Sequence, residues 1–237
     1  LRKEDPVHYV AESEYGPYWS ITKYNDIMAV DTNHQVFSSE GGITIATQDG
    51  DEGPLPMFIA MDPPKHDVQR KTVSPAVSPM NLAILEPLIR ERASKILDSL
   101  PIGEEFDWVD KVSMELTAMT LATLFDMPQE DRRKLTYWSD VVTAVPGHGL
   151  IDTLEQKMQI FVEYHAYFTN LWNERVNAEP KGDLISMLAH GAETRNMAAR
   201  EYFGNIVLLT VGGNDTTRNT ITGSVLALNQ NPDQYDK

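Results

Sequence analysis

The sequence predicts a mainly α-helical protein with a small β portion near its N-terminus, and three observations support this fold class. From residue 62 onward, apolar residues recur at three- and four-residue spacing, which is the period of a buried helix face. Gly and Pro residues divide this part of the chain into stretches of ordinary helix length. Only the first forty residues contain a segment rich in aromatic and β-branched side chains, which is typical of a strand.

The N-terminal part is predicted to begin with a short strand at 18–22 and a helix that Asn25 caps and that continues through Val30. Residues 41–57 are rich in Gly and Pro and lack helical periodicity. They are therefore predicted to form a long loop, and loops of this length are often functional.

Asp62 is predicted to cap the next helix, with Pro63 at its first position and an end near Val73. A Pro-Gly-His-Gly break at 146–149 predicts a turn between two later helices. The helices after Val73 share an apolar periodicity, and Asp183 is predicted to cap one of them. They are predicted at 80–99, 109–125, 128–142, 152–177, 183–190 and 198–231.

Length and composition restrict the class of protein. The 237 residues correspond to one or two domains. The net charge of −15 argues against non-specific binding to nucleic acid or to an anionic membrane. The longest apolar runs fall far short of the roughly 20 residues of a membrane span. The chain has no cysteine, which excludes disulfides and thiolate metal ligands within it and favours a cytoplasmic location.

The last predicted helix has an unusual composition. Gly212 and Gly213 lie inside a strongly apolar stretch, where each costs about 1 kcal/mol relative to alanine. Thr216 and Thr217 follow one turn later, so that their hydroxyls can bond the glycine carbonyls, and Asp215 adds an ionisable group beside them. This pattern predicts a helix that lies across a flat ligand and relays protons to it. The alternative is a tight crossing of two helices, which small residues permit.

A second group of candidate residues lies in the helix that Pro63 begins. His66 and Arg70 are four residues apart and therefore share one helix face. Two such donors can clamp a carboxylate, and arginine is suited to bidentate binding of it. The alternative is an incidental pair on a solvated surface.

Together these two segments resemble the cytochrome P-450 superfamily of haem-thiolate monooxygenases. The pattern Asp-Pro-Pro-x-His-x-x-x-Arg at 62–70 is similar to the helix that binds the haem propionates in that family. The sequence Gly-Gly-Asn-Asp-Thr-Thr at 212–217 is similar to its oxygen-activation motif. The resemblance implies that residues 1–237 form a single incomplete domain, the N-terminal part of the cytochrome P-450 fold, which ends after the long distal helix. The residues of both motifs look most like those of the bacterial group that hydroxylates medium-chain alkanes at the terminal carbon.

The resemblance also implies roles for individual residues. Thr216 would hydrogen-bond the bound dioxygen, and Asp215 would feed protons towards it. Ile59, Leu208 and Val211 would line an apolar substrate pocket, with the loop at 41–57 and the helices beside Pro146 forming its entrance. Contact with the haem would be made by His66, Arg70, Gly212, Gly213 and Thr217.

Cofactors and partners follow from the same resemblance. The family binds haem (iron protoporphyrin IX), uses O2 as co-substrate, and in bacteria receives electrons from NAD(P)H through a ferredoxin reductase and a ferredoxin. Its iron ligand is a cysteine, which the resemblance places beyond Lys237. The 237 residues alone are therefore expected to be inactive, because haem iron needs an axial ligand.

Two alternatives stay open at this point. A member of the same superfamily could act on a terpenoid, a steroid or a fatty acid. A non-catalytic helical protein that binds a hydrophobic ligand or serves as a scaffold would also explain the helices and the acidic charge. It would leave the Gly-Gly-Asn-Asp-Thr-Thr segment without a purpose.

Overall fold

The structure is a computed structural model that describes residues 1–45 and 54–236. The chain divides into two compact units, residues 1–70 and residues 71–237. Residues 46–53 of the predicted entrance loop at 41–57 lie outside the described residues.

The first unit contains the predicted β portion. Strands β1 (Val7–Val10) and β2 (Tyr18–Ile21) form an antiparallel pair in which Val7 lies opposite Ile21. The strand predicted at 18–22 is confirmed, whereas β1 was not predicted.

Helix α1 (Tyr24–Asp31) follows β2 directly. The predicted cap at Asn25 is wrong, because Lys23 has extended backbone angles and occupies the N-cap position. Asn25 therefore lies within the first turn of the helix.

The start of the next helix also differs from the prediction. Helix α2 (Lys65–Val73) begins after Pro64, so Pro63 is not its first residue. The carboxylate of Asp62 accepts hydrogen bonds from the Ser38 hydroxyl and from the Ser39 backbone amide. Its partners therefore come from the preceding segment, and these donors, the Ser38 hydroxyl first, lower the pKa of Asp62.

The second unit contains helices and connecting turns but no strand among its described residues, and every predicted helix is present there. Two of them begin in another helical form: a π-helix at Val109–Met114 precedes α4, and a 3-10 turn at Gln129–Asp131 precedes α5. The α-helices are α3 (Pro79–Asp98), α4 (Glu115–Leu124), α5 (Arg132–Thr143), α6 (Leu154–Val176), α7 (Leu184–His190) and α8 (Ala199–Gln230).

Two sequence signals in this unit act as predicted. The carboxylate of Asp183 accepts a hydrogen bond from the Ser186 backbone amide and so caps α7. The turn at 146–149 contains Gly147 and Gly149 with φ values of 81° and 106°, where glycine is favoured because it has no Cβ.

The core of the second unit lies where α4, α5 and α6 pack around α8. Trp138 of α5 stacks on Tyr164 of α6, with 4.6 Å between the ring centroids, and both side chains are fully buried. Phe168 packs edge-on against both rings. This aromatic cluster fixes α5 and α6 against the buried N-terminal half of α8. Among the described residues, no helix combines the length and the apolar character that crossing a membrane requires.

Candidate functional site

The two adjacent glycines of α8 have different surroundings. The helix runs without interruption from Ala199 to Gln230, so both glycines lie in regular helix. A Cβ atom on Gly213 would lie 2.9 Å from Cδ1 of Leu121 on α4. A Cβ atom on Gly212 would have no atom of the described residues within 4 Å. The tight helix crossing therefore explains Gly213, whereas Gly212 leaves an open, side-chain-free patch on the exposed face of α8.

The open patch at Gly212 carries the predicted hydroxyl. Thr216 donates a hydrogen bond from its Oγ1 to the carbonyl oxygen of Gly212 over 2.7 Å, which confirms the contact predicted from their four-residue spacing. Thr216 is exposed, as Gly212 is. Thr220 repeats the same bond one turn later, to the carbonyl of Thr216, also at 2.7 Å. A row of small and hydroxyl-bearing residues therefore lines this face of α8.

Asp215 lies at the edge of this face, next to α5. Its Oδ1 atom accepts hydrogen bonds from the hydroxyl of Ser139 at 3.0 Å, from the amide of Asn214 at 3.0 Å and from Nη2 of Arg218 at 3.1 Å. The Asp215 side chain keeps 21% of its surface exposed. Asp215 is therefore anchored on one side and open on the other. Arg218 also binds Asp140 of α5 through Nη1, at 2.9 Å.

Thr217 lies with Gly213 on a different side of α8 from Gly212 and Thr216. It lines a cavity of about 340 Å³ between α3, α4 and α8. Most other lining residues are apolar, but Thr117 is buried there with no hydrogen-bond partner for its hydroxyl among the described residues. The structure therefore separates the five candidates of the 212–217 segment into two sides of one helix.

The candidate pocket residues of α8 lie near the open patch. Leu208 and Val211 are half-buried. Leu208 is four residues before Gly212, and Val211 is four residues before Asp215, so these four share one side of the helix. Two apolar side chains and an acid therefore border the side-chain-free position.

His66, Arg70 and Ile59 lie in the first unit. His66 and Arg70 are one turn apart on α2, as predicted. The Nδ1 atom of His66 lies 2.8 Å from Oδ1 of Asp67, and the His66 ring packs against Phe58 with 6.3 Å between the centroids. Arg70 is exposed. Ile59 is 43% exposed, in the 3-10 turn Phe58–Ala60.

Three residues near the site were not found from the sequence, namely Ser139, Asp140 and Arg218. The three-residue spacing of Arg218 from Asp215 is a signal of an ion pair that could have indicated Arg218. Ser139 and Asp140 are 76 and 78 residues away from their partners, so no local pattern indicates them.

The residues present fit a flat cofactor that carries carboxylates. In the second unit, Gly212 offers a face that a Cβ would otherwise occupy, which suits a flat ring. Taken by itself, the first unit provides two donors for carboxylates, His66 and Arg70, on one face of α2. The 237 residues contain no cysteine, so a thiolate ligand for a haem iron is not supplied by this chain.

Comparison with known proteins identifies relatives of the whole chain. The chain is 32% identical over its whole length to linalool 8-monooxygenase of Pseudomonas putida and spans 61% of that protein. It is 33% identical, again over its whole length, to steroid C26-monooxygenase of Mycolicibacterium smegmatis and spans 58% of it. No protein-family model matches the chain.

Solved structures show the same relationship. Cytochrome P450-153 from Novosphingobium aromaticivorans superposes with a TM-score of 0.87 at 46% identity, over 99% of this chain and 60% of that one. The chain thus spans about 60% of the length of its relatives, which is consistent with the expected N-terminal part of their fold. Its sequence and its structure are homologous to those of cytochromes P-450.

Proposed function

We propose that the protein is a haem-dependent monooxygenase that inserts one oxygen atom of O2 into an unactivated C–H bond, by terminal hydroxylation of medium-chain alkanes. The observation that carries this proposal is the open patch of α8. There a side-chain-free Gly212, the hydroxyl of Thr216 and the carboxylate of Asp215 meet within one turn of helix. Neither a structural helix nor a scaffold requires this combination.

Haem would supply the oxidising chemistry of the reaction. Within this chain, His66 and Arg70 would bind its propionates, because both are hydrogen-bond donors and arginine binds carboxylates well. Gly212 would allow the ring to approach the helix backbone. The resemblance assigns Gly213 and Thr217 to the cofactor as well, but both lie on the other side of α8, where Gly213 packs against Leu121. The thiolate that a haem of this kind requires is not supplied by this chain, which has no cysteine.

Thr216 and Asp215 would deliver protons to the bound oxygen. The hydroxyl of Thr216 lies on the exposed face. Its oxygen can accept a hydrogen bond from a second donor while its proton is donated to the Gly212 carbonyl. Asp215 is one residue away and partly open to water, so it can take up a proton and release it towards the same face. A positioned acid and a hydroxyl together form a short path for protons from solvent.

The substrate would be held by apolar contact alone. An alkane offers no polar group, so its affinity comes from burial, at about 0.8 kcal/mol per methylene. Leu208, Val211 and Ile59 are apolar, and the first two border the open patch. Selectivity for the chain end would require a narrow pocket around these residues.

A second candidate is the same reaction on a terpenoid, a steroid or a fatty acid. The names of relatives support it, since one is a linalool 8-monooxygenase, another a steroid C26-monooxygenase, and a third a methyl-branched lipid omega-hydroxylase of Mycobacterium tuberculosis. All of these substrates are largely apolar, so the apolar lining of α8 does not separate them from alkanes.

The proposal includes a bacterial electron-transfer chain. Electrons would pass from NAD(P)H through a ferredoxin reductase and a ferredoxin, and the protein would act in the cytoplasm. The absence of a membrane-crossing helix among the described residues is compatible with this location.

The test is a substrate titration of the intact haem-loaded protein, followed by the optical spin-state change. Linear alkanes of increasing length, fatty acids, a terpene alcohol and a steroid are compared. Alkanes are expected to cause the largest shift, and product analysis is expected to find the terminal alcohol. A shift with terpenes or steroids only would replace the alkane assignment by the second candidate, and a failure to take up haem would support a scaffold. The 237 residues alone should lack the reduced-CO band of a thiolate-ligated haem.

A further inference from the structure

The carboxylate of Asp215 is held asymmetrically. All three of its hydrogen-bond donors, Ser139, Asn214 and Arg218, bind the Oδ1 atom. Among the described residues, Oδ2 has no hydrogen-bond partner, and the side chain is partly exposed. One oxygen of the carboxylate is therefore occupied and the other is available to water.

Two of these donors tie Asp215 to α5. Ser139 is fully buried on α5, at a position where an apolar residue would pack well. Its hydroxyl donates its hydrogen bond to Asp215. The guanidinium of Arg218 bridges two carboxylates, with Nη1 on Asp140 and Nη2 on Asp215. The Arg218 side chain is only 15% exposed, so this bridge is largely shielded from solvent. The geometry favours arginine, since a planar fork can bind two acceptors at once.

We propose that Ser139 and Arg218, with Asp140 holding Arg218, are positioning residues that fix Asp215 through Oδ1 and leave Oδ2 as the oxygen that binds and releases the proton. This inference rests on the proton-carrying role proposed for Asp215. Its physical basis is that a proton carrier must be held in one orientation, because proton transfer falls off steeply when donor and acceptor are displaced. A freely rotating carboxylate would present either oxygen to the path.

The experiment compares Ser139→Ala with a matched control, Ser113→Ala, in the intact haem-loaded protein. Both serines are fully buried, and each hydroxyl bonds a side chain of α8, since Ser113 accepts from Thr222 at 2.8 Å. Ser113 makes no contact with Asp215, so its variant reports the cost of losing a buried interhelical bond alone.

Two measurements distinguish a positioning role of Ser139 and Arg218 from a purely structural one. The first is the infrared band of the Asp215 carboxylate in the resting protein, isolated by subtracting the spectrum of Asp215→Asn. We expect it to shift in Ser139→Ala and in Arg218→Gln and to stay in place in Ser113→Ala. The second is the solvent deuterium isotope effect on coupled turnover. We expect it to rise in Ser139→Ala, with about a three- to tenfold loss of turnover, less than the roughly 100-fold that loss of a general acid or base causes.

The double variant Ser139→Ala with Asp215→Asn tests whether Ser139 acts through Asp215. It is expected to match Asp215→Asn alone in turnover and in isotope effect. If Asp215→Asn itself changes neither quantity, the proposed role of Asp215 fails. If Asp215→Asn changes both, but Ser139→Ala and Arg218→Gln behave like Ser113→Ala, only the positioning inference is overturned.

Discussion

Gly213 and Leu121 are in such close contact that a methyl group on the glycine would lie 2.9 Å from Cδ1 of the leucine. Gly212, the preceding residue, has no atom of the described residues within 4 Å of the same position. Two adjacent glycines of one helix thus have separate reasons to lack a side chain. The first prediction uses this contrast.

Gly212→Ala is expected to raise the free energy of unfolding of the haem-free protein by up to about 1 kcal/mol, since alanine is the better helix former and meets open space. Gly213→Ala gains the same propensity but overpacks against buried Leu121. It is expected to be less stable than Gly212→Ala by about 1–3 kcal/mol. Urea unfolding measures both variants.

Leu121→Val in the Gly213→Ala background shortens the side chain by one carbon, so that no Cδ atom is left to meet the new methyl group, and should restore part of the loss. Equal stabilities of the two alanine variants would contradict the close contact. In the haem-loaded protein, Gly212→Ala is expected to weaken haem retention although it stabilises the helix, because the open patch is then filled.

Thr216 and Thr220 form a matched pair for a test of the proposed chemistry. Both are exposed and both bond the carbonyl four residues back at 2.7 Å. Thr216→Ala is expected to uncouple oxygen consumption from product, with hydrogen peroxide released in place of alcohol, because the hydroxyl next to Gly212 is lost. Thr220→Ala, one turn further along α8, should leave the ratio of product to oxygen consumed unchanged. The ratio is measured with an oxygen electrode and product analysis, and an unchanged ratio in Thr216→Ala would argue against its assigned role.

Tyr164 makes the stability of the second unit sensitive to alkaline pH. It is fully buried and donates from its hydroxyl to Oγ1 of Thr210 at 2.7 Å, and its burial raises the pKa well above the ordinary value of about 10. Above pH 10 the unfolded chain therefore releases this proton while the folded chain keeps it. Stability is fully present below about pH 10 and falls as pH rises, by up to about 1.4 kcal/mol per pH unit.

Tyr164→Phe is expected to make this alkaline loss shallower. At neutral pH the same variant should cost about 1 kcal/mol, the net value of the hydrogen bond to Thr210. Free energies of unfolding measured from neutral pH to about pH 11 check both statements. Burial also raises the pKa of Tyr202. Tyr202→Phe is therefore expected to make the alkaline loss of stability shallower by a further, separate amount. An equally steep decline in Tyr164→Phe would count against this explanation.

Arg175 stabilises the junction between α6 and α7. It is 9% exposed, donates to the backbone oxygen of Asp126 at 2.8 Å, and its Nε lies 3.6 Å from Oδ2 of buried Asp183. Arg175→Leu would leave Asp183 without this charge, and we expect a loss of about 3–5 kcal/mol in the free energy of unfolding. The exposed pair of Arg90 and Glu86 provides the control, since Arg90→Leu should change stability by less than about 1 kcal/mol. Similar losses in both variants would show that burial of the Arg175 pair does not matter.

The sequence by itself determined the features that depend on neighbouring residues. The helical periods, the cap at Asp183, the turn at 146–149 and the bond from Thr216 to Gly212 all involve partners within four residues. Such contacts are dictated by helix geometry, so the spacing of residue types is enough to predict them. The same local patterns carried the resemblance to the cytochrome P-450 superfamily, which the comparisons confirmed. Where local signals compete, as at Asn25 and Pro63, the predicted helix starts were each wrong by two residues.

Only the tertiary structure decided which side of α8 each residue of the motif faces. It packed Gly213 against Leu121, left Gly212 open, and brought Ser139 of α5 to Asp215 across 76 residues of chain. These contacts depend on how whole helices cross, which is set by the packing of the aromatic cluster around Trp138 and Tyr164. A pattern of a few residues contains no information on that crossing, because the packing depends on the side chains of several distant helices at once.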